Sequence, residues 1–421
     1  MLIMIFLYAI LLLFFSLKIV SGYPIATFLL ANSFYLIITL PCALAYYIIF
    51  VEGDRIWYGS FWLDSLSYSV LFCLQVVVVF LGYVFYRFGY QGVMCGSVRT
   101  FYFIKTGTLS FFLFAILSFV ISVSVVLYVH ASFGFTYLFA PRRLYELSRD
   151  GFGLHYFIFG FFLRLSAILI LFSRFRFRLA FLVFLFFFSI FTGAKVNSYV
   201  ILMISLFYYF VFVERGILRF RIILLFSLIL APMVLLLLKV TFLSSNVNIF
   251  LLLVAYANEP WNNFILLVQT FVDRFDSLFF GSIWLENNIV SRIPRFLFEG
   301  KPYVYGGFRI ANEYFPENVA LGLGAPSFGQ EGMYFVDFGY FGLFLQVCVK
   351  CILFWFLGRF SAISIKFNPG LSVGKFYYFS LILICSNIYL VILPPSNNLF
   401  DNFLIFAFLG VFFGVRRYRY V

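Results

Sequence analysis

The stretch GTLSFFLFAILSFVISVSVVLY, residues 107–128, runs for 22 residues without a charge. A helix rises 1.5 Å per residue, so about 20 apolar residues cover the ~30 Å hydrocarbon layer of a bilayer. A helix also pairs its backbone groups internally, which lipid demands and water does not. Lys105 precedes the stretch, and Arg142 and Arg143 stand in the loop beyond it.

Working outward, runs of the same kind recur at 2–17, 25–50, 62–86, 154–173, 179–192, 196–213, 222–242, 337–357, 376–394 and 400–415. With 107–128 they define an all-α polytopic membrane protein of about 11 transmembrane helices (range 10–13). The first and sixth runs are short. The pair flanking Thr192-Gly193-Ala194-Lys195 reads either as a tight hairpin or as a broken helix. Residues 2–17 lack a basic leader and a small-residue cleavage site, so they read as a retained first span and not a removed signal peptide.

Composition agrees. Of 421 residues, 64% are hydrophobic and 11% charged. That leaves too little polar surface to cover a water-soluble globule. No repeat or low-complexity linker divides the chain, so 1–421 is expected to be one integral membrane domain.

The net charge of +13 is a topology signal and does not point to nucleic acid. Alternate connections hold Lys18; Arg87, Arg99 and Lys105; Arg174, Arg176 and Arg178; Arg215, Arg219 and Arg221; Arg359, Lys366 and Lys375; and Arg416, Arg417 and Arg419, against one acid, Glu214. The opposite short loops hold Arg55, Arg142, Arg143, Arg149 and Lys195, and every other acid falls on that side. Basic loops stay cytoplasmic. The C-terminus is therefore expected inside, the N-terminus outside, and the long segment 243–336 in an external loop. The apolar parts of that loop, 250–256 and 261–272, are expected to form helices on the membrane surface.

Ionisable residues inside spans are costly and face a partner or a cavity. Arg164, mid-span, reads as a structural ion pair or as an anion-binding residue lining a cavity. Lys350 reads as a side chain that snorkels to the cytoplasmic surface. In the external loop, Arg292, Arg295 and Lys301 gather three cations within ten residues, suited to a diphosphate because arginine forks onto phosphate oxygens. Glu331 precedes the ninth span at the expected membrane boundary, either as a general base with raised basicity or as a carboxylate favoured at a helix N-terminus. Asp337 suits the second role. His130 and His155 lie near the outer face. Cys348-Val-Lys-Cys351 has no second pair for a metal, and neither HExxH nor a Walker lysine is present. No cofactor or metal is expected.

Three stretches carry a family resemblance: Phe191-Thr192-Gly193-Ala194-Lys195; Arg292-Ile293-Pro294-Arg295 followed by Lys301-Pro302; and Ala325-Pro-Ser-Phe-Gly-Gln-Glu331-Gly-Met-Tyr334 with Phe338-Gly339 and Gly342. They resemble segments of the Wzy-type O-antigen or oligosaccharide repeat-unit polymerases, and more distantly of the O-antigen ligases. The matching motifs span roughly 190–345. Lys195 stands where arginine is common in the family, and Glu331 stands where the ligases carry histidine.

The resemblance implies a GT-C-like membrane glycosyltransferase, independent of metal and nucleotide, in the bacterial inner membrane. Its donor and acceptor would be undecaprenyl-pyrophosphate-linked oligosaccharides, joined at the periplasmic face, with a chain-length regulator as a further partner. The 243–336 loop would carry part of the site. Lys195, Arg292 and Arg295 would stabilise the leaving diphosphate, with Arg142, Arg143, Arg164 and Lys301 in support. Glu331 would take the acceptor hydroxyl proton, with His155 in reserve. Tyr334, Trp261, Tyr303 and Tyr305 would stack on sugar rings. A ligase, or a flippase or other transporter of the same lipid-linked sugars, is the alternative.

Overall fold

The computed structural model describes residues 2–20, 26–32, 35–58, 61–95, 101–103, 108–136, 144, 152–173, 175–190, 197, 200–201, 204–205, 249–274, 278–290, 293, 297–298, 300, 307–314, 316, 328–367, 404–405 and 415–417. Its helices are α1 (Leu2–Val20), α2 (Ala26–Ala31), α3 (Leu40–Phe50), α4 (Ser65–Met94), α5 (Thr108–Phe133), α6 (Gly153–Phe172), α7 (Arg178–Ile190), α8 (Ile249–Arg274), α9 (Ser282–Asn288), α10 (Gly307–Tyr314) and α11 (Gly329–Phe367). A π-helical turn, Tyr35–Thr39, leads into α3. Strands β1 (Val51–Glu52), β2 (Arg55–Tyr58) and β3 (Phe61–Asp64) form an antiparallel meander between α3 and α4. Short strands β4 (Phe101–Phe103) and β5 (Val415–Arg417) pair antiparallel.

Among the described residues, five helices are long and apolar enough to cross a membrane: Leu2–Ile19, Ser65–Met94, Phe111–Phe133, Leu154–Leu171 and Glu331–Ala362. They coincide with the first, third, fourth, fifth and ninth expected spans. The sixth is the shorter apolar helix α7. The second is divided among α2, the π turn and α3. The spans expected at 222–242 and 376–394 lie outside the described residues, as do nearly all of those at 196–213 and 400–415.

The solvent of this fold is read from the outward faces. α4 starts where the Asp64 carboxylate accepts the Ser67 amide at 2.7 Å, an N-cap that satisfies an otherwise orphaned donor. From there α4 buries Tyr68, Phe72, Gln75, Val79, Tyr83 and Tyr86 at helical spacing. Its opposite face carries Leu66, Val70, Val77 and Phe88, each at least half exposed. A helix in water would be polar there; an apolar outer face is matched by lipid. α5 repeats the pattern with Leu113, Leu117 and Val120, and α7 with Val183, Phe184 and Phe187.

Two packed clusters result. One joins α1–α4, α8–α11 and the meander; the other joins α5, α6, α7 and the residues near 200. In the first, α4 and the later part of α11 run parallel: Gln75 and Lys350 reach the same carboxylate, Gly89 packs on Trp355, and further along Val93 packs with Ala362. At their crossing, a Cβ on Gly89 would overlap the Trp355 carbonyl, and one on Gly358 the Tyr86 carbonyl. Small residues permit this backbone approach, which dispersion and packing reward in lipid. In the second cluster, α5 and α6 run antiparallel, with Ser122 donating to the Phe159 carbonyl (3.4 Å) and Ser166 to the Ala115 carbonyl (2.8 Å). These directions agree with the alternation expected from the charges.

The expected pair of surface helices in 243–272 is corrected. Ile249–Arg274 is one helix that continues through Pro260. Trp261, Phe264, Ile265, Leu266 and Leu267 are all at most 5% exposed, packed into the first cluster. Their apolar face is covered by protein, and the polar stripe Asn258, Asn262 and Asn263 is buried with it.

Candidate functional site

The glycine-rich motif around Glu331 forms a helical hairpin. α11 breaks at Gly339, whose φ of 61° and ψ of −145° suit only glycine. Residues 329–338 make a short arm folded back against the long arm, 340–367. The arms meet at backbone distance, because a Cβ on Gly342 would overlap the Tyr334 carbonyl. The rings of Phe335 and Tyr340 pack edge to face across the bend, 5.4 Å apart.

This reversal moves Glu331 away from its expected place. Eight residues of helix put it about 12 Å from the bend, inside the bundle. It is 7% exposed. Its Oε1 accepts the Lys350 ammonium at 3.0 Å and the Gln75 amide at 3.1 Å, and the Gln346 amide faces it as well. Gln75, Gln346 and Lys350 are each 3% exposed. Lys350 therefore does not snorkel. A carboxylate inside the bundle, nineteen residues away in sequence, is a nearer partner than the membrane surface. A buried ion pair of this kind tolerates its low-dielectric site because each charge is matched and further hydrogen bonds saturate the carboxylate.

The other end of the short arm holds α9 and α10. Asp337 is fully buried and accepts the amides of Ile283 (3.0 Å) and Trp284 (2.7 Å). It thereby caps α9, whose own N-cap is the left-handed Gly281 with no side chain to offer. Asp337 is a helix-terminal carboxylate, as expected, but for α9 and not for its own helix. The Phe279 and Phe280 amides donate to the Val336 and Asp337 carbonyls at 3.1 and 2.9 Å, satisfying carbonyls left orphaned by the break. α10 is tied on by Arg309, which bridges Glu286 (3.3 Å) and Glu313 (3.2 Å) over the Phe279 ring. Tyr334 is half-buried beside Trp284.

α8 contributes a second polar group. The Asn258 amide donates to Asn262 at 2.8 Å, and the two lie against Tyr68 and Tyr46 respectively. Trp261, expected to stack on sugar, is instead 2% exposed between Tyr68 and Phe72.

Of the other expected site residues, Arg164 and His155 lie on α6 in the second cluster. Arg164 is 4% exposed, with its guanidinium and the buried Asn197 carbonyl oxygen both against Gly160. His155 stacks on Tyr128, 5.2 Å between centroids, and lines a small apolar cavity with His130, Val126, Val129 and Phe159. Lys195, Arg142, Arg143, Arg292, Arg295, Lys301, Tyr303 and Tyr305 lie outside the described residues. The structure thus joins Glu331 to Tyr334 on one arm and sets Arg164 and His155 in a different cluster. Sequence reading missed Gln75 and Gln346. A lone glutamine inside each apolar run, and the i, i+4 spacing of Gln346 and Lys350 on one helix face, were the available signals.

Apolar-faced helices, a polar cluster buried between them and a hairpin folded into the bundle define a multi-pass helical membrane protein. Over 305 residues, 70% of this chain and 69% of the relative, the sequence is 26% identical to proteins named O-antigen polymerase in Salmonella typhimurium (strain LT2) and Salmonella typhi. The chain is thus similar to proteins named O-antigen polymerase, the family that the three motifs resemble. No family model and no solved structure matches it.

Proposed function

We propose that this protein polymerises lipid-linked oligosaccharide repeat units for O-antigen or a related surface polysaccharide. The growing glycan is transferred from undecaprenyl pyrophosphate to a sugar hydroxyl of a new lipid-linked repeat, at the periplasmic face of the inner membrane. The similarity to the two Salmonella O-antigen polymerases, across more than two thirds of both chains, carries this reading. The positive-inside pattern supports a periplasmic N-terminus, a cytoplasmic C-terminus and about eleven spans in a GT-C-like arrangement.

The diphosphate is already an activated leaving group, so its departure needs charge stabilisation and neither metal nor nucleotide. Lys195, Arg292 and Arg295 take that role, with Arg142, Arg143 and Lys301 in support. Arg164, whose guanidinium lies with Asn197 against Gly160, supports that role as well, and His155 stays the reserve base. The buried, saturated carboxylate of Glu331 supports a structural role better than proton transfer, because a general base must reach the hydroxyl it deprotonates.

The test is extension of a purified undecaprenyl-pyrophosphate oligosaccharide by the purified protein in liposomes. A ladder of added repeats is expected, collapsing to single repeats with Arg292→Ala or Arg295→Ala. Absence of any ladder with the native protein would overturn the reading.

A further inference from the structure

Glu331 and Lys350 are linked physically to α9 and α10. The first link is the ion pair itself, 3.0 Å long, with Gln75 of α4 on the same carboxylate oxygen. It fixes the free end of the short arm to two long helices, α4 and the long arm, which are already locked by the Gly89 and Gly358 crossing. The second link is the short arm, a rigid helix of under three turns. The third is Asp337, which takes the Ile283 and Trp284 amides in the first turn of α9, where the N-cap Gly281 has no side chain to offer. The last is Arg309 of α10, which reaches Glu286 of α9 at 3.3 Å.

We propose that Lys350, Gln75 and Glu331 are positioning residues for the glycan transfer: they hold the short arm, whose Asp337 in turn sets α9 and, through Arg309, α10. The inference rests on the polymerase reading for its functional half and on geometry alone for its mechanical half. Glu331 acts through its partners and not on the acceptor hydroxyl. What matters at positions 331 and 350 is then mutual satisfaction, and not a carboxylate at 331.

The deciding set is Glu331→Gln, Lys350→Gln, the neutral double Glu331→Gln/Lys350→Gln and the exchanged double Glu331→Lys/Lys350→Glu, in the full-length protein. Each single variant leaves a buried charge without its counter-ion and is expected to lower the melting temperature by about 5 °C or more and to abolish long polymer. At least one double variant is expected to recover most of the melting temperature, regain the polymer ladder and keep the native pH dependence of extension. Doubles that accumulate in the membrane yet make no polymer would overturn the proposal and return the proton-acceptor role to Glu331. Strictly additive melting-temperature losses, or failure of both doubles to accumulate, would overturn it as well. The melting measurements need no substrate. Coupling without extension by the native protein would therefore sink the polymerase reading and leave the mechanical linkage standing.

Discussion

Lys350 Nζ stands 3.0 Å from Glu331 Oε1, although an uninterrupted helix would hold these residues about 28 Å apart. The chain reversal at Gly339 brings them together, and Gln75 closes the cluster from α4. The short arm that carries Asp337, and with it the cap of α9, is held in place by this contact.

Lys350→Met should therefore cost more than any single apolar truncation nearby. It strands a buried carboxylate, a loss of about 3–5 kcal/mol. Gln75→Leu removes one hydrogen bond to that charge and should cost about 1.5–3 kcal/mol. Thermal unfolding of the detergent-solubilised protein checks the order; equal losses would mean the lysine charge contributes nothing beyond a hydrogen bond.

The bend itself is testable at two glycines. Gly339→Ala places a side chain at φ 61° and should destabilise by about 1–2 kcal/mol. Gly342→Val should do more, since its side chain would displace the Tyr334 backbone. The amount of protein recovered in the membrane fraction should fall in that order.

Asp337→Ala uncaps α9 and leaves two amides without acceptors, a loss of about 1–2 kcal/mol confined to α9 and its surroundings. Limited proteolysis should cut faster between 278 and 290, while the melting temperature of the helical bundle changes little. An unchanged cleavage rate would show that Arg309 alone fixes α9.

Asp64 gives a pH dependence with a definite sign. The Ser67 hydroxyl, and then the Ser67 and Leu66 amides, hold its carboxyl below the usual carboxylate range. A depressed folded-state pKa means the stabilisation is complete above about pH 4 and fades as pH falls through the folded value. Asp64→Ala should cost about 1 kcal/mol at neutral pH and flatten the acid limb of the stability curve. A variant whose acid limb matches the native one would remove Asp64 from that behaviour.

Orientation can be read at Asn312, an exposed position on α10. Asn312→Cys should be labelled in intact spheroplasts by a membrane-impermeant maleimide. Labelling only after lysis would place the external segment on the cytosolic side and invert the proposed topology.

The helices were legible because lipid imposes a simple rule: uninterrupted apolar length, with charge at the ends. Residues 108–133 follow that rule, and 65–94 and 153–172 follow it but for Arg87 and Arg164; the sequence boundaries fall within a few residues of them at most ends. The motif around Glu331 was legible as a turn leading into a span, through its glycines. Its direction was not, since a glycine with free φ permits a gentle entry and a full reversal alike. Lys350 shows the same limit. Alone in an apolar run, snorkelling is its cheapest solution, and only a carboxylate delivered by the hairpin makes burial cheaper.

Composition and the alternation of basic loops thus determined by themselves that the chain crosses a membrane many times, because hydrophobic length and charge segregation act locally along the chain. Which polar residues meet inside the bundle was decided only by tertiary structure. Glu331, Lys350, Gln75 and Gln346 come from two helices and both arms of a hairpin, and Asp337 caps a helix fifty residues earlier. Such contacts depend on backbone reversal and close helix crossing, which no linear spacing of residues encodes.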